Sequence, residues 1–193
     1  TIDFTNLVPF DLAVPGNHEF DFGPENFMEK MKASKYPWAA INITNDDGSA
    51  VEGLGGVMMK EVAGLKIALI PVAQDTSPEV SSTGSLKFLP TVETGVAAAE
   101  KAREEGADIV VGVVQTNMEN DRALMASGAF DVILSGDDHS YATAYDGRTA
   151  YVETSIDGQF LTPIDLAVEV EVADDGKREI SWVRASSFID TST

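Results

Sequence analysis

The sequence predicts an α/β fold in which buried strands alternate with helices and antiparallel strands follow later in the chain. Short apolar runs rich in β-branched residues, such as Ile109–Val114, are typical of strands that are buried on both faces. Apolar residues recur at helical spacing between these runs, as in Pro90–Glu105. The last third of the chain alternates in the manner of antiparallel strands. Because the chain has 193 residues and 44% hydrophobic content, we expect one domain, residues 1–193, with one sizeable core.

In the first half, proline, glycine and asparagine mark the ends of the predicted elements. Pro15-Gly16 ends the first strand, Pro24 can occupy the first turn of a helix, and Ala63-Gly64 suits a hairpin turn. The predicted elements are a strand over Phe10–Val14, a helix from Pro24 to just before Lys35, a strand over Trp38–Ile43, a turn over Asn45–Gly48, and a hairpin of Val57–Val62 with Leu65–Pro71.

In the second half, two helices separate the apolar strands. Gly106 and Gly128 lie where these helices would end. The predicted elements are a helix over Pro90–Glu105, a strand over Ile109–Val114, a helix over Asp121–Ala126, a strand over Val132–Leu134, and antiparallel strands over Tyr151–Glu153, Ile164–Val172 and Ile180–Arg184.

Charge and composition argue against several classes of function. The formal net charge of -19, from 32 acidic and 13 basic residues, argues against nucleic-acid binding through a basic patch. No apolar run approaches the ~20 residues that span a bilayer, so we expect no membrane span. The absence of cysteine excludes disulfides and thiolate metal sites. We interpret the acidic excess first as a solubilising surface, and alternatively as an attraction for divalent cations.

The two histidines of the chain, His18 and His139, each lie just beyond the end of a predicted strand. In open α/β sheets, ligands bind at the carboxyl ends of strands. This placement of both histidines would be a modest coincidence in a purely structural protein. We therefore expect the two loops to share one site.

The first loop, Gly16–Asp21, carries three groups suited to catalysis. Asn17 offers an amide oxygen for a hard cation, His18 an imidazole for proton transfer, and Asp21 a carboxylate that could orient the imidazole. The alternative is a plain turn with a solvated His18, in which Asn17 adopts a left-handed conformation and Asp21 caps the following helix. The residues alone leave both interpretations open.

The run Gly16-Asn17-His18-Glu19-Phe20-Asp21 resembles a signature of the calcineurin-like metallophosphoesterases and, within them, of the 5'-nucleotidase branch. The resemblance implies a metallophosphoesterase-like α/β/β/α sandwich with mixed sheets, and the hydrolysis of phosphate esters, with nucleotides as a substrate class. It extends from Phe10 to Ser187 and includes further similar segments at Tyr36–Ile43, Gly64–Ala68, Gly106–Val111 and Phe130–Gly136.

The resemblance also implies a site with two metal ions. Asn17 would be a ligand of one metal, and His139, which matches the second histidine of the family's Gly-His-x-His motif, a ligand of the other. His18, steered by Asp21, would stabilise the transition state or protonate the leaving group. The metals would clamp the phosphate and generate the attacking hydroxide, and they would allow a protein of net charge -19 to bind an anion.

The sequence departs from the family pattern in several places. The family's first strand, with its Asp-x-His ligands, and the next loop, with a bridging aspartate, have no counterpart, so we expect a fold truncated at its amino end. Asn117 stands where the family has a ligand histidine, and Asp137 where it has the first histidine of Gly-His-x-His. With Asn17, these two residues could form an oxygen-rich site better suited to Mn, Mg or Ca than to Zn. The rival hypothesis is a dismantled site that binds no metal.

These departures leave alternatives to hydrolysis open. One is a binding or scaffold domain that keeps the fold without the activity, and another, supported only by charge, is an acidic cation-binding module. A truncated sheet would expose an edge at which a homodimer could form. By resemblance alone, we expect a small-molecule phosphate ester as substrate and a periplasmic or extracellular location.

Overall fold

The computed structural model describes residues 2–8, 10–172, 178–186 and 189–190, and it has mixed α/β secondary structure. Its helices in chain order are α1 (Ile2–Thr5), α2 (Pro24–Ala33), α3 (Ser77–Val80), α4 (Thr91–Glu104) and α5 (Met118–Ser127), with a 3-10 helix over Asn17–Phe20. Its strands are β1 (Trp38–Ala39), β2 (Ile43–Thr44), β3 (Leu54–Gly55), β4 (Met58–Val62), β5 (Leu65–Val72), β6 (Lys87–Phe88), β7 (Ile109–Thr116), β8 (Val132–Asp137), β9 (Tyr141–Tyr145), β10 (Ala150–Thr154), β11 (Phe160–Leu161), β12 (Ile164–Val172), β13 (Arg178–Ser186) and β14 (Ile189–Asp190).

The largest sheet has six strands in the order β4-β5-β7-β8-β10-β9. The four inner strands are parallel, whereas the outer strands β4 and β9 are antiparallel to their neighbours. Parallel strands need crossover connections, and α4 and α5 lie in those that join β5, β7 and β8. The carboxyl ends of β7 and β8 therefore meet at one edge of the sheet, where Thr116 is in register with Asp137.

Two different layers cover the faces of this sheet. Successive side chains of β7 point to opposite faces, so Val110 belongs to one core and Ile109 and Val111 to another. The first core lies under α4 and α5 and contains the fully buried Ile70, Ala99, Val110, Leu124 and Phe130. The second lies under β12, whose Ile164, Leu166 and Val168 pack against Ile109, Val111 and Val132. The predicted α/β sandwich with mixed sheets is confirmed.

Elements with a strong local signal lie where the sequence predicts them. The hairpin of β4 and β5 turns at Ala63 and Gly64, whose φ angles of 52° and 80° suit a two-residue hairpin turn. Helix α4 is followed closely by Gly106, with a φ of 91°. The helix from Pro24, the turn at Asn45–Gly48 and the hairpin of β12 with β13 are also confirmed.

The predicted strand over Phe10–Val14 is wrong. Within it only Ala13 pairs, through a single parallel bridge with Trp38. Pro15 follows immediately, and a proline cannot donate to a strand ladder. The loop of the candidate site is therefore attached to the sheet by one residue rather than by a full strand.

The predicted strand over Trp38–Ile43 is divided into β1 and β2. Asn42, between them, is fully buried, and its side-chain amide donates to the carbonyl oxygens of Ala73 at 2.7 Å and Leu89 at 3.1 Å. The Ala73 N–H donates back to Asn42 Oδ1 at 2.9 Å. A buried amide must find such partners, and these partners replace part of a regular ladder.

Two features of the second half differ from the prediction. Residues 151–153 do not belong to an all-antiparallel region, because β10 pairs in parallel with β8 and antiparallel with β9, a strand that the sequence analysis missed. Helix α5 begins at Met118, three residues before the predicted Asp121, because Asn117 caps its N-terminus.

Among the residues that the structure describes, no helix is long and apolar enough to cross a membrane. The outer strand β4 carries Lys60 and Glu61, and charges on an edge strand disfavour pairing with another chain. Homodimer formation at a sheet edge stays a prediction.

Candidate active site

The first loop is anchored by one aromatic side chain, which leaves its polar neighbours in solvent. Phe20 is fully buried and makes edge-to-face contacts with Phe27 and Phe88, at centroid distances of 5.1 and 5.7 Å. The Gly16 N–H donates to Glu19 Oε2 at 2.7 Å, which closes the start of the 3-10 helix. This local framework fixes the direction in which His18 and Asp21 project.

His18 and Asp21 form a hydrogen-bonded pair. Their Nδ1 and Oδ2 atoms are 2.9 Å apart, and the side chains are 75% and 42% exposed. The hydrogen bond with Asp21 raises the pKa of His18, and the same hydrogen bond lowers the pKa of Asp21. The Ser81 hydroxyl also donates to Asp21 Oδ1 at 3.2 Å. The carboxylate is thus held in its ionised form beside an imidazole that binds a proton more readily than usual.

Two particulars of the plain-turn interpretation are wrong, whereas His18 is exposed to solvent, as that interpretation also expects. Asn17 lies in the 3-10 helix and is not among the non-glycine residues with positive φ. The N-cap of α2 is Gly23, whereas Asp21 binds His18 and Ser81. The carboxylate therefore faces the imidazole, which is the arrangement that a proton-transfer pair requires.

The second loop follows β8 and carries Asp137, Asp138 and His139. Asp137 and His139 have positive φ angles of 147° and 58°. The carboxylate of Asp138 accepts a hydrogen bond from the N–H of Met118, in the first turn of α5. His139 itself is exposed, so its imidazole is accessible to solvent at the surface of the site.

Gln115, at the end of β7, connects the two loops. Its side-chain Nε2 donates to Asn17 Oδ1 at 3.4 Å and also to Asp137 Oδ1. The first loop approaches this side chain closely at Gly16, where an added Cβ would lie 3.3 Å from Gln115 Cδ. The structure thus brings the two predicted loops together at the carboxyl ends of β7 and β8.

The electrostatics of Asp137 support the same proximity. Burial is the main cause that raises the pKa of its carboxyl, and the charge of Asp138 raises it further. The charges of His139 and His18 act in the opposite direction. Asp137 therefore lies within electrostatic reach of His18 and His139, and Gln115 connects it to Asn17.

Asn117 has a structural role that the sequence analysis did not assign to it. Its Oδ1 accepts a hydrogen bond from the Asn120 N–H at 3.0 Å, and it is the N-cap of α5. An asparagine is among the preferred residues for this position. The helix N-terminus therefore accounts for the position of the Asn117 side-chain oxygen without a metal ion.

The side chains present do not form a complete metal centre. Within the described residues, no group of three or more His, Cys, Asp or Glu side chains could hold a metal ion. Asn17 and Asp137 direct oxygens towards the same point, but the amide nitrogen of Gln115 lies there. The buried Oε1 of Gln115 has no hydrogen-bond partner in the described part of the chain. The oxygen-rich site of Asn17, Asn117 and Asp137 stays a prediction.

Sequence reasoning missed several residues of the site. Gln115 was not assigned a role, although it lies two residues before Asn117, the position where the family has a ligand histidine. Asp138 and Ser81 carry no spacing signal that points to Met118 or Asp21, because these contacts span 20 and 60 residues. A prediction that β7 and β8 are neighbouring parallel strands would have placed Gln115 and Asp137 together.

Comparison with known proteins finds relatives in sequence and in fold. No protein-family model matches the chain. The chain is 29% identical over 195 residues to an apyrase of Tabanus yao, a match that covers 97% of this chain and 33% of the apyrase. It thus spans about a third of the length of that curated relative.

Two solved structures have the same fold. A 5'-nucleotidase precursor from Thermus thermophilus superposes with a TM-score of 0.75 at 16% identity, covering 97% of this chain and 40% of that one. A calcineurin-like phosphoesterase from Bacillus subtilis superposes with a TM-score of 0.73 at 20% identity, covering 98% and 66%. At these identities the structures establish the fold. With the sequence relatives, they confirm the resemblance to the 5'-nucleotidase branch of the calcineurin-like metallophosphoesterases.

Proposed function

We propose that this chain takes part in the hydrolysis of phosphate esters, with nucleotides as the substrate class. The observation that carries the proposal is the His18–Asp21 pair, hydrogen-bonded at 2.9 Å, in a loop that Gln115 joins to Asp137 at the carboxyl ends of β7 and β8. The apyrase relative and the 5'-nucleotidase fold support nucleotides as substrates.

In this proposal His18 transfers the proton. Asp21 accepts the hydrogen bond of Nδ1 and remains ionised, so the imidazole is oriented with Nε2 directed away from the carboxylate. A protonated His18 could then donate from Nε2 to the oxygen of the leaving group. The raised pKa of His18 keeps a larger fraction of the imidazole protonated near neutral pH.

The charge of the site makes a cation necessary for this chemistry. Glu19, Asp21, Asp137 and Asp138 lie in the two loops of the candidate site, and the whole protein has a net charge of -19. A phosphate dianion would be repelled unless cations neutralise these carboxylates. We therefore propose that activity depends on a divalent cation. Towards it this chain would offer Asn17, Asn117, Asp137 and His139, which are not a complete metal centre within the described residues.

A second candidate function is a binding or scaffold domain without catalysis. Two observations favour it: Asn117 Oδ1 caps a helix, and the amide of Gln115 occupies the point between Asn17 and Asp137. Such a domain would keep the fold and the surface of the site while making no chemical change.

The test is hydrolysis of an aryl phosphate and of adenosine monophosphate with Mn, Mg, Zn, Ca or chelator. His18→Ala is compared with wild type and with Glu100→Ala, which changes an exposed residue of α4 away from the site. We expect metal-dependent turnover in wild type and Glu100→Ala, and its loss in His18→Ala.

Turnover equal in all three proteins under every metal would contradict the hydrolase proposal and favour the binding domain. Calorimetric titration then tests the cation directly, and preference for Zn over Mn would contradict the oxygen-rich site.

We also propose a periplasmic or extracellular location, consistent with a matched nucleotidase described as a precursor. Fractionation of cells that express the natural protein tests this location.

A further inference from the structure

The segment between β8 and β9, residues 138–140, holds His139 in a strained conformation. The φ of His139 is 58°, and that of Asp137 just before the segment is 147°. A non-glycine residue in these regions costs about 1–3 kcal/mol and persists only where surrounding contacts fix it. The contacts of this segment therefore decide where the imidazole of His139 lies.

Glu153 makes one of these contacts from within the sheet. Its side chain is 1% exposed, and its Oε1 accepts a hydrogen bond from the Ser140 N–H at 3.3 Å. The carbonyl oxygen of Ser140 accepts a second bond, from the Ser155 N–H at 2.9 Å. The backbone N–H and C=O of Ser140, the residue after His139, are thus both held by residues within and just after β10.

Glu153 is itself held in place by a buried network. The Tyr151 hydroxyl lies 3.3 Å from Glu153 Oε2 and 2.9 Å from Asp121 Oδ2. Ser135 Oγ donates to both carboxylate oxygens of Asp121, at 2.8 and 2.9 Å. The carboxylate that binds Ser140 is therefore connected to α5 through Asp121 and to β8 through Ser135.

A carboxylate at position 153 is costly, because the side chain is 1% exposed and taking a carboxylate out of water costs several kcal/mol. An apolar residue of similar size is often at least as stabilising at such a position. Two hydrogen bonds offset this cost, one from the Tyr151 hydroxyl on the same face of β10 and one from the Ser140 N–H outside the strand. We propose that Glu153 is a positioning residue, which fixes residues 138–140 and with them His139 in the candidate site.

The test compares Glu153→Leu, which removes the acceptor, with Glu153→Gln, which keeps an oxygen that can accept from Ser140. Amide hydrogen exchange is followed by NMR at Ser140 and at Val110, a core amide bonded to Asp131 at 2.7 Å. We expect Glu153→Leu to accelerate exchange at Ser140 roughly tenfold, the loss of about one hydrogen bond. Exchange at Ser140 in Glu153→Gln should stay close to wild type, and Val110 should change little in either variant.

Equal exchange at Ser140 in wild type and Glu153→Leu would overturn the proposal, as would acceleration at Val110 as large as that at Ser140. If Glu153→Leu does not fold, Glu153→Asp decides by the same criteria, because the shorter side chain withdraws the carboxylate from Ser140 by one methylene. Any effect of the Glu153 variants on turnover rests on the proposed function, whereas the exchange result does not. The two proposals can therefore fail separately.

Discussion

Two hydrogen-bonded clusters of ionisable groups near the candidate site differ mainly in burial. The His18–Asp21 pair lies in solvent at the edge of the site. The cluster of Asp121, Tyr151 and Glu153 lies inside, with at most 5% of any of these residues exposed. A favourable partner lowers the pKa of Asp21, whereas burial raises the pKa of Asp121 to about 6 against the hydrogen bonds of Ser135 and Tyr151.

This contrast shows which physical effect dominates in each place. In solvent the carboxylate loses little hydration, so the hydrogen bond with the histidine decides its charge. In the interior the loss of hydration outweighs two hydrogen bonds, and the neighbouring charges of Glu153 and Asp138 add to the effect. The exposed pair is thus suited to transferring protons, and the buried cluster to holding backbone in place.

The largest expected effect concerns the exposed pair and tests whether it serves chemistry while the buried cluster serves structure. His18→Ala should lower metal-dependent turnover of phosphate esters by roughly 10²–10⁴-fold, the usual range for a general acid. Because the side chain is 75% exposed, the free energy of unfolding should hardly change. Urea denaturation beside the kinetic assay measures both. A large loss of stability would contradict the view that this pair serves chemistry alone.

The next effect concerns the buried carboxyl of Asp121. Because its pKa is raised to about 6 from 3.8, the folded protein binds a proton that the unfolded chain releases between these values. Its contribution to stability is therefore complete below about pH 4 and is lost as pH rises through about 6. Relative to Asp121→Asn, wild type should lose on the order of 2 kcal/mol of unfolding free energy across this window.

The measurement for Asp121 is chemical denaturation of both proteins at several pH values. The difference between wild type and variant isolates this carboxyl from exposed acids such as Asp21 and Asp47, whose lowered pKa values give slopes of the opposite sign. A difference that is independent of pH would show that Asp121 is ionised in the folded protein.

A smaller effect is expected when the link between the two buried carboxyls is removed. Tyr151→Phe deletes the hydroxyl that lies 2.9 Å from Asp121 and 3.3 Å from Glu153. We expect a loss of about 1–2 kcal/mol of unfolding free energy, the usual cost of removing a hydrogen-bond donor from a buried carboxylate. Thermal or urea denaturation measures it. Unchanged stability would mean that the cluster holds together without the phenol.

The smallest effect concerns the titration of His18. Asp21→Asn removes the carboxylate whose hydrogen bond raises the imidazole pKa, so the pKa should fall towards its ordinary value without a measurable change in stability. NMR titration of the imidazole protons follows it. Asp47→Asn, in a remote turn, is the matched control and should leave the titration of His18 as it is in wild type.

The sequence predicted the parts of the fold that depend on neighbours along the chain. The hairpin at Ala63-Gly64, helix α4 and the apolar strand β7 follow from turn residues and from the periodicity of apolar residues. The pairing of His18 with Asp21 also follows from a spacing of three residues, which places the two side chains on one side of a helical turn. These features need no knowledge of tertiary contacts.

Other parts could not be predicted in this way. The split of Trp38–Ile43 depends on carbonyl oxygens of Ala73 and Leu89, which lie 31 and 47 residues from Asn42. Strand β9 carries mostly exposed residues, so its alternation is weak. The capping role of Asn117 is in principle visible from its position before a helix, but the resemblance to a metal ligand drew the interpretation elsewhere.

The sequence by itself therefore determined the secondary structure of the strongest segments, the family resemblance and the two loops that carry the histidines. Only the tertiary structure decided that Gln115 lies between Asn17 and Asp137, across 98 and 22 residues of chain, and that Glu153 lies behind Ser140. The physical reason is that periodicity and turn chemistry act over a few residues, whereas the order of strands in a sheet fixes which distant side chains share one edge.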